Sequence, residues 1–337
     1  MKIKKKSWIE AVKDKIVKNV VIELLLFIVI IFSSLSPSFL TASNIISLLV
    51  ENSSVIIMAV GLTFIIVSGG IDLSIGYQIS LVSVTVGMLL AGGASILIAT
   101  IAGITVGLLC GLINSMIIIG LKIPPFAATL ATQIIFRSLT NLISGGRAYT
   151  QLPNSFLWMT QYTFLKVPNY VYIAIACLLL YGFIVAFTYL GSYISAIGEN
   201  ERAVRRIGIN VNLVKTVCYV LGSFFFSIQA LIITSKQGLA SPSTGTGMEI
   251  IGITAVFLGV DSAYRNKSNS FIGVMFHLLV GVLIIAVMEN GMLIMGWNLY
   301  IQYAINGVLL ILAIALYYRK NLFMGHRNDL SAAAISD

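Results

Sequence analysis

Apolar residues run through this chain in long blocks. The blocks lack the strict alternation of a half-buried strand and the single narrow stripe of a soluble helix. Ten such runs cover approximately 20–36, 45–67, 73–91, 95–119, 125–143, 170–190, 214–235, 249–260, 271–289 and 299–318. A helix rises about 1.5 Å per residue, so roughly 20 residues cross about 30 Å of hydrocarbon. The eighth run is too short for that and predicts a half-helix or a broken one. The pattern predicts an all-α polytopic membrane protein with about ten transmembrane helices. The count falls to eight if the pair around 45–91 is partly re-entrant. One transmembrane domain over 20–318 is expected, with a basic segment before it (1–19) and a tail after it (319–337).

Composition agrees with the pattern. Of 337 residues, 58% are hydrophobic and 10% charged, and mean hydropathy is +0.99, whereas a soluble domain carries about 25% charged residues. The net charge of +9 would suggest nucleic acid in another protein, but here the basic residues flank the apolar runs. With an inside N-terminus, the inside segments hold Lys2, Lys4, Lys5, Lys6, Lys13, Lys15, Lys18, Lys122, Arg202, Arg205, Arg206, Lys215, Arg265, Lys267, Arg319, Lys320 and Arg327. Only Arg137, Arg147, Lys166 and Lys236 fall outside or within spans. This bias places both termini in the cytoplasm. The "SSLSPSFL" after the first run lacks a small-x-small cleavage site, so an uncleaved first span is expected. No nucleic-acid partner is implied; membrane lipid is.

Two loops stand out by length. Residues 144–169 face outside and carry Tyr149, Phe156 and Trp158, which suit an aromatic interfacial belt or a docking surface for an external partner. Residues 191–213 face inside, where "ENERAVRRIG" places acids before bases, as a helix dipole favours. Gly208 is suited to end that helix. Gly103, Gly107 and Gly111 share one helical face and predict a close-packing seam inside the bundle. "KIPPF" ends one span and sets the direction of the next.

Catalytic signatures are missing. There is no GxxxxGK[ST], GxSxG, HExxH or CxxC. Cys110, Cys177 and Cys218 stand singly in apolar stretches, and His277 and His326 have no ligand cluster near them, so neither a disulfide nor a metal site is expected. Intramembrane acids are functional candidates. Glu51 lies in "LLVENSSVII" beside Asn52. A proton-coupled carrier would need a basic partner for it, and the embedded candidate is Arg137. "SGGIDLSIG" (68–76) interrupts two apolar runs. Gly69 and Gly70 stop one helix, and Asp72 reads as the cap of the next, either as structure alone or at a gate of a pathway. A faint echo relates Asp72…Asn114 to Asp261…Asn290 and suggests a degenerate repeat.

Four stretches resemble the inner-membrane permeases of ribose/xylose/galactose-type ABC importers. They are "SGGIDLSIG" at 68–76, "GLINSMIIIGLKIPPFAATLAT" at 111–132, "AIGENERAVRRIGINV" at 196–211 and "GTGMEIIGITAVFLGV" at 245–260. They occur in family order over most of the chain. Two features depart from the pattern: "GVDSAYRNKSNSFIG" replaces the usual glycine-rich continuation, and Ser115 follows Asn114 in place of glycine. The resemblance implies a permease subunit without enzymatic activity or a cofactor of its own, in a bacterial cytoplasmic membrane. Its partners would be a cytoplasmic ABC ATPase carrying ATP and Mg, an extracytoplasmic solute-binding protein, and a second permease copy or paralogue. The ATPase would meet Ala196, Gly198, Glu199, Asn200, Glu201, Ala203, Arg205 and Gly208. Translocation or gate candidates are Glu51, Asn52, Gly69, Gly70, Asp72, Ser74, Asn114 and Phe126. Tyr149, Phe156 and Trp158 would dock the binding protein. Ribose, xylose, galactose, an arabinose-like furanose, autoinducer-2 and a nucleoside all suit such a path. The rival expectation is a proton-coupled carrier using Glu51 and Asp72.

Overall fold

A computed structural model describes residues 8–265 and 270–333. The outermost parts of the expected terminal segments, and residues 266–269 of the divergent loop, lie outside the described residues. Each apolar run forms a helix. In chain order these are α1 (Trp8–Leu35), α2 (Ala42–Val67), α3 (Ile75–Ala91), α4 (Ile96–Ser115) and α5 (Pro125–Ser144), then a four-residue α6 (Trp158–Gln161). They continue with α7 (Asn169–Phe187), α8 (Tyr189–Arg206), α9 (Val211–Gln237), α10 (Met248–Arg265), α11 (Phe271–Ile294) and α12 (Leu299–Ala333). Among the described residues six helices are long and apolar enough to cross a membrane: α2, α4 with its continuation to Gly120, α7, α9, α11, and α12 as far as Leu316. The chain is an all-α, multi-pass membrane protein.

Polar punctuation sets the helix ends. The side chains of Thr41, Ser95, Asn210 and Ser270 each accept a backbone N–H from the first turn of α2, α4, α9 and α11 respectively. A five-residue π-helical stretch, Met116–Gly120, prolongs α4. Pro125 sits in the first turn of α5, where its missing N–H costs nothing. The outer loop expected over 144–169 also contains a hairpin, β1 (Thr163–Phe164) paired with β2 (Val167–Pro168). Its turn residues Leu165 and Lys166 both have positive φ, the geometry that matches strand twist in a tight hairpin.

The central helix is α9, flanked by α2, α3 and α4. Small residues allow the close approach. A Cβ on Gly61 of α2 would lie 2.7 Å from the Gly222 carbonyl of α9. The glycine seam of α4 does what its spacing predicted: a Cβ on Gly107 or Gly111 would strike Ser227 or Ser223 of α9, and one on Gly103 would strike Val86 of α3. Phe64 fills the gap beside this crossing, stacked on Phe225 at 6.1 Å and edge-on to Tyr181 at 5.5 Å. Asn114 meets Asp72, whereas Asn290 exchanges two 2.9 Å amide hydrogen bonds with Asn44.

Candidate functional site

Two segments of non-helical backbone lie inside the bundle. The first, 68–74, separates α2 from α3. Gly69 adopts φ +82°, and Gly69 N–H and Gly70 N–H donate to Ile66 O and Ile65 O at 3.0 and 2.9 Å. This is a Schellman stop that only a residue tolerant of left-handed φ can make. Tyr219 of α9 donates its hydroxyl to Ile71 O at 3.2 Å and braces the bend.

Asp72 is fully buried. Its Oδ1 accepts from Ser74 N–H at 2.8 Å and Ser74 Oγ–H at 2.6 Å. Its Oδ2 accepts from Gln78 Nε2 at 2.9 Å and Asn114 Nδ2 at 3.2 Å. Ser74 Oγ in turn accepts from Gln78 and Asn114, at 2.8 and 2.9 Å. Ser223 of α9 donates to Gln78 Oε1 at 2.7 Å. The helix start differs from the reading above. Ser74 occupies the N-cap of α3, while Asp72 closes a tight turn two residues upstream. The carboxylate is two positions too early to reach the first free amides of the helix, and it gathers side chains from α3 and α4 instead. Neutral donors, not a cation, satisfy it, as a buried carboxylate requires.

The second segment, 238–247, separates α9 from α10 between Gly238 (φ +64°) and Gly247 (φ +84°). It lies along one face of α3 at Gly76, Ser80, Ser83 and Gly87. Gly245 N–H donates to Ser80 Oγ at 3.0 Å, and a Cβ on Gly245 would come within 2.0 Å of Gly76 O. Ser83 Oγ stands 2.7 Å from Thr234 Oγ1. Irregular backbone at membrane depth is tolerated where protein covers it in this way. This is why the eighth run read as short: α10 begins only at Met248, after the break. Beside the break, Glu249 Oε2 and both amide atoms of Gln229 are buried without a hydrogen-bond partner among the described residues.

The 191–213 stretch forms α8 with a break at Asn200 (φ −157°, ψ 87°). Asn200 Oδ1 accepts from Ala203 N–H at 3.0 Å and caps a short second helix. Gly208, at φ +87°, follows its end. Glu201 accepts from Lys215 Nζ at 2.6 Å and Arg205 at 2.7 Å, and Arg205 also donates to Asn212 at 2.9 Å. Hydrogen bonds from Lys215 and then Arg205 hold the Glu201 carboxyl below its ordinary pKa. Glu199, Arg202, Ala203 and Arg206 are exposed around it, and Ala196 is half-buried. Gly198 faces the end of α2: a Cβ there would lie 2.1 Å from Val67 O, one residue before the first break.

Residues 44–314 match the family described as branched-chain amino acid transport system/permease component. The chain belongs to this permease family. It is similar to the ribose import permease protein RbsC of Escherichia coli (strain K12), 32% identical over 300 residues that make up 88% of this chain and 92% of that protein. RbsC of Bacillus subtilis (strain 168) is 33% identical over 299 residues, 88% of this chain and 91% of that protein. The D-allose transport system permease protein AlsC of E. coli (strain K12) is 32% identical over 295 residues, 87% and 89% of the two chains.

On the opposite side of the permease from α8, Glu51 forms an ion pair with Lys236, 185 residues away in sequence. Arg137, the basic partner suggested by the sequence, is not near it. Both members of the pair border an open cleft of about 420 Å³, also lined by Thr160, Gln161, Tyr170 and Ser235. Glu51 is exposed at the mouth of this cleft rather than embedded. Asn52 neither breaks α2 nor pairs with Glu51, since its amide donates to Leu48 O in the same helix. Of the three aromatics of the 144–169 loop, Trp158 stands open, Tyr149 is half-buried in a backbone bridge to Ala240, and Phe156 is completely buried, so Phe156 cannot present its ring to a partner. Phe126 is 57% exposed at the start of α5. Sequence reasoning missed Gln78 and Ser223 of the Asp72 cluster, Lys236, and Ile207, which projects 74% exposed from the tip beyond α8. A polar residue six positions after Asp72 in an apolar run, and a bulky aliphatic between Arg206 and Gly208, were the available signals.

Proposed function

We propose that this permease forms the membrane path of a bacterial inner-membrane ABC importer for a neutral sugar or sugar-like solute. It crosses the membrane ten times with both termini in the cytoplasm. A separate ATPase, carrying ATP and Mg, works on the α8 tip, and a binding protein delivers solute at the outer cleft and Trp158. A second permease copy or a paralogue completes the transporter. The relatives named above support the solute class, as do the similar galactofuranose and L-arabinose permeases of E. coli. The family description names branched-chain amino acids instead.

The mechanism rests on the contact of Gly198 with Val67 O. The tip is stiffened by Asn200 and by Glu201 with its two basic partners, so a displacement of the tip moves the end of α2. That end is the start of the 68–74 break. The buried Asp72 cluster ties the break to α3, α4 and α9, so these helices shift as a set between two packings. A proton carrier gains no support: Glu51 is ion-paired at an open cleft, and Asp72 is held by neutral donors.

Reconstitution with the ATPase and the binding protein tests the reading, using ribose, allose, arabinose, galactose and leucine as labelled solutes. ATP-dependent uptake of one or more sugars, and none by the chain alone, is expected. Uptake by the chain alone under a pH gradient would overturn the proposal, and uptake of leucine alone would overturn the solute class.

A further inference from the structure

The β1–β2 hairpin carries the wrong residues for a turn in water. Its two turn residues, Leu165 and Lys166, hold φ of +51° and +65°. Asn and Gly normally fill such positions, because a larger side chain is strained there. Leu165 is nevertheless 78% exposed, and Tyr162 and Phe164 beside it are 64% and 62% exposed. Three large apolar side chains on one short hairpin form a patch that water does not favour.

Helix α7 sets the depth of this patch. Its 19 residues, Asn169–Phe187, measure about 28 Å, close to the roughly 30 Å of hydrocarbon, so Asn169 stands at one boundary of the bilayer. The hairpin could rise from there into water, but it folds back. Asn169 N–H donates to Tyr162 O at 3.1 Å and closes the hairpin onto the helix start. Tyr172, about 4.5 Å further into the span, donates its hydroxyl to Phe164 O at 2.8 Å. The two rings meet edge-on, with centroids 5.9 Å apart. Phe164 is thereby held against the first turn of α7. Tyr170, Ala174, Cys177 and Tyr181 line the buried side of this helix, which α2 and α11 cover. Tyr172, Ile175, Leu179 and Phe183 recur at helical spacing on the other side, all exposed and none charged. Phe164 extends that apolar stripe past the helix start. The charges of the loop agree with this placement. Residues 144–169 contain Arg147 and Lys166 and no acid.

We propose that the β1–β2 hairpin is a lipid anchor: Phe164 and Leu165 enter the edge of the hydrocarbon along α7, and Lys166 binds the phosphate of an anionic phospholipid. The occupant is lipid because the patch continues the apolar face of a membrane-spanning helix and its loop carries only positive charge. A long basic side chain beside buried apolar ones reaches the headgroup level with its ammonium while its stem stays in the apolar layer. Pro168, the last residue of the hairpin, lines the cleft that holds Glu51 and Lys236. The anchor therefore fixes one wall of that cleft against the bilayer. This assignment is independent of the transported solute.

Spin labels on single cysteines test the anchor, with Cys110, Cys177 and Cys218 replaced and the permease reconstituted in phosphatidylglycerol vesicles. Leu165→Cys is compared with Ile175→Cys on the α7 stripe and with Glu199→Cys on the exposed part of α8. Each label is read for collision with oxygen, which concentrates in hydrocarbon, and with a water-soluble nickel chelate. The Leu165→Cys label is expected to follow Ile175→Cys, with an oxygen-to-nickel ratio about fivefold above that of Glu199→Cys. A ratio equal to that of Glu199→Cys would place the hairpin in water and overturn the proposal. Low collision with both probes would mean that protein, a second copy included, covers the hairpin, and would overturn it as well. Adding Lys166→Gln to Leu165→Cys should lower the ratio about twofold in phosphatidylglycerol and leave it unchanged in phosphatidylcholine. An effect missing in phosphatidylglycerol, or equally large in phosphatidylcholine, would remove the anionic headgroup as the partner of Lys166. The Ile175→Cys label, read with and without Lys166→Gln, checks that the fold is intact.

Discussion

Asn114 reaches across the bundle to donate its amide to Asp72 at 3.2 Å, joining the end of α4 to the break between α2 and α3. The same carboxylate holds Ser74 and Gln78, and Gln78 holds Ser223 of α9. Removing it strands several buried donors at once. A hydrogen bond to a charged group contributes about 1.5–3 kcal/mol. Asp72→Ala should therefore destabilise the permease by about 2–4 kcal/mol. Asp72→Asn keeps one oxygen for Ser74 and should lose about half as much. Thermal unfolding of the purified protein in detergent measures both. An Asp72→Ala variant as stable as the parent would mean that the cluster holds nothing together.

The α4–α9 contact makes a sharper demand. A Cβ on Gly111 would lie 2.6 Å from both Ser223 Oγ and Tyr219 O, the second a backbone atom that cannot swing away. Overpacking of this kind costs about 1–3 kcal/mol. Gly111→Ala should lower stability by that amount, with further loss for Gly111→Val. Gly120→Ala is the control, because a Cβ at Gly120 meets nothing within 4 Å, and its melting temperature should stay at the parental value.

These contacts show what sequence does and does not carry. The helices and the glycine seam were legible because each is a local, periodic signal: apolar runs of spanning length, and small residues at every fourth position. Pairings across long separations were not. Nothing in the spacing joins Glu51 to Lys236, or Gln78 to Ser223 some 145 residues later. Asp72 was read as a cap because an acid after two glycines commonly is one. In the folded chain Ser74 stands at the N-cap position without a side-chain bond to the helix amides, and its hydroxyl is held by Asp72, Gln78 and Asn114 instead. The second break was hidden for a related reason: polar "SPSTGTG" reads as a surface loop until α3 is seen to cover it.

Glu201 offers a test by pH at the α8 tip. Lys215 and Arg205 hold its carboxyl below the ordinary value. A depressed folded pKa contributes stability above the unfolded pKa and loses it as pH falls through the folded one. The tip should thus stay ordered from neutral pH through the ordinary glutamate range and loosen only below it. Amide hydrogen exchange over 201–206, measured against pH and corrected for intrinsic rates, reports this. Glu201→Gln should abolish the acid-induced loosening and raise the basal exchange at neutral pH. It should also weaken stimulation of the ATPase by the permease. A variant with parental exchange at every pH would show that the two basic partners do not order the tip.

The Glu51–Lys236 pair separates a binding role from a proton-carrying one. Both side chains are partly exposed, and such pairs contribute about 0–1 kcal/mol. Glu51→Gln should therefore leave the melting temperature almost unchanged. Its effect should appear at the cleft, where Lys236 also lies 5.7 Å from the centre of the Tyr170 ring. With Glu51 neutral, Lys236 loses its counter-charge, and a binding protein docking there as proposed would meet a more positive surface. The concentration of binding protein needed for half-maximal uptake should shift severalfold, and the reversed pair Glu51→Lys with Lys236→Glu should restore it toward the parental value. Collapse of the proton gradient at constant ATP should leave uptake unchanged in parent and variants alike. If the parent instead stops under a protonophore with ATP held constant, while Glu51→Gln continues, Glu51 is a proton site and the carrier reading returns.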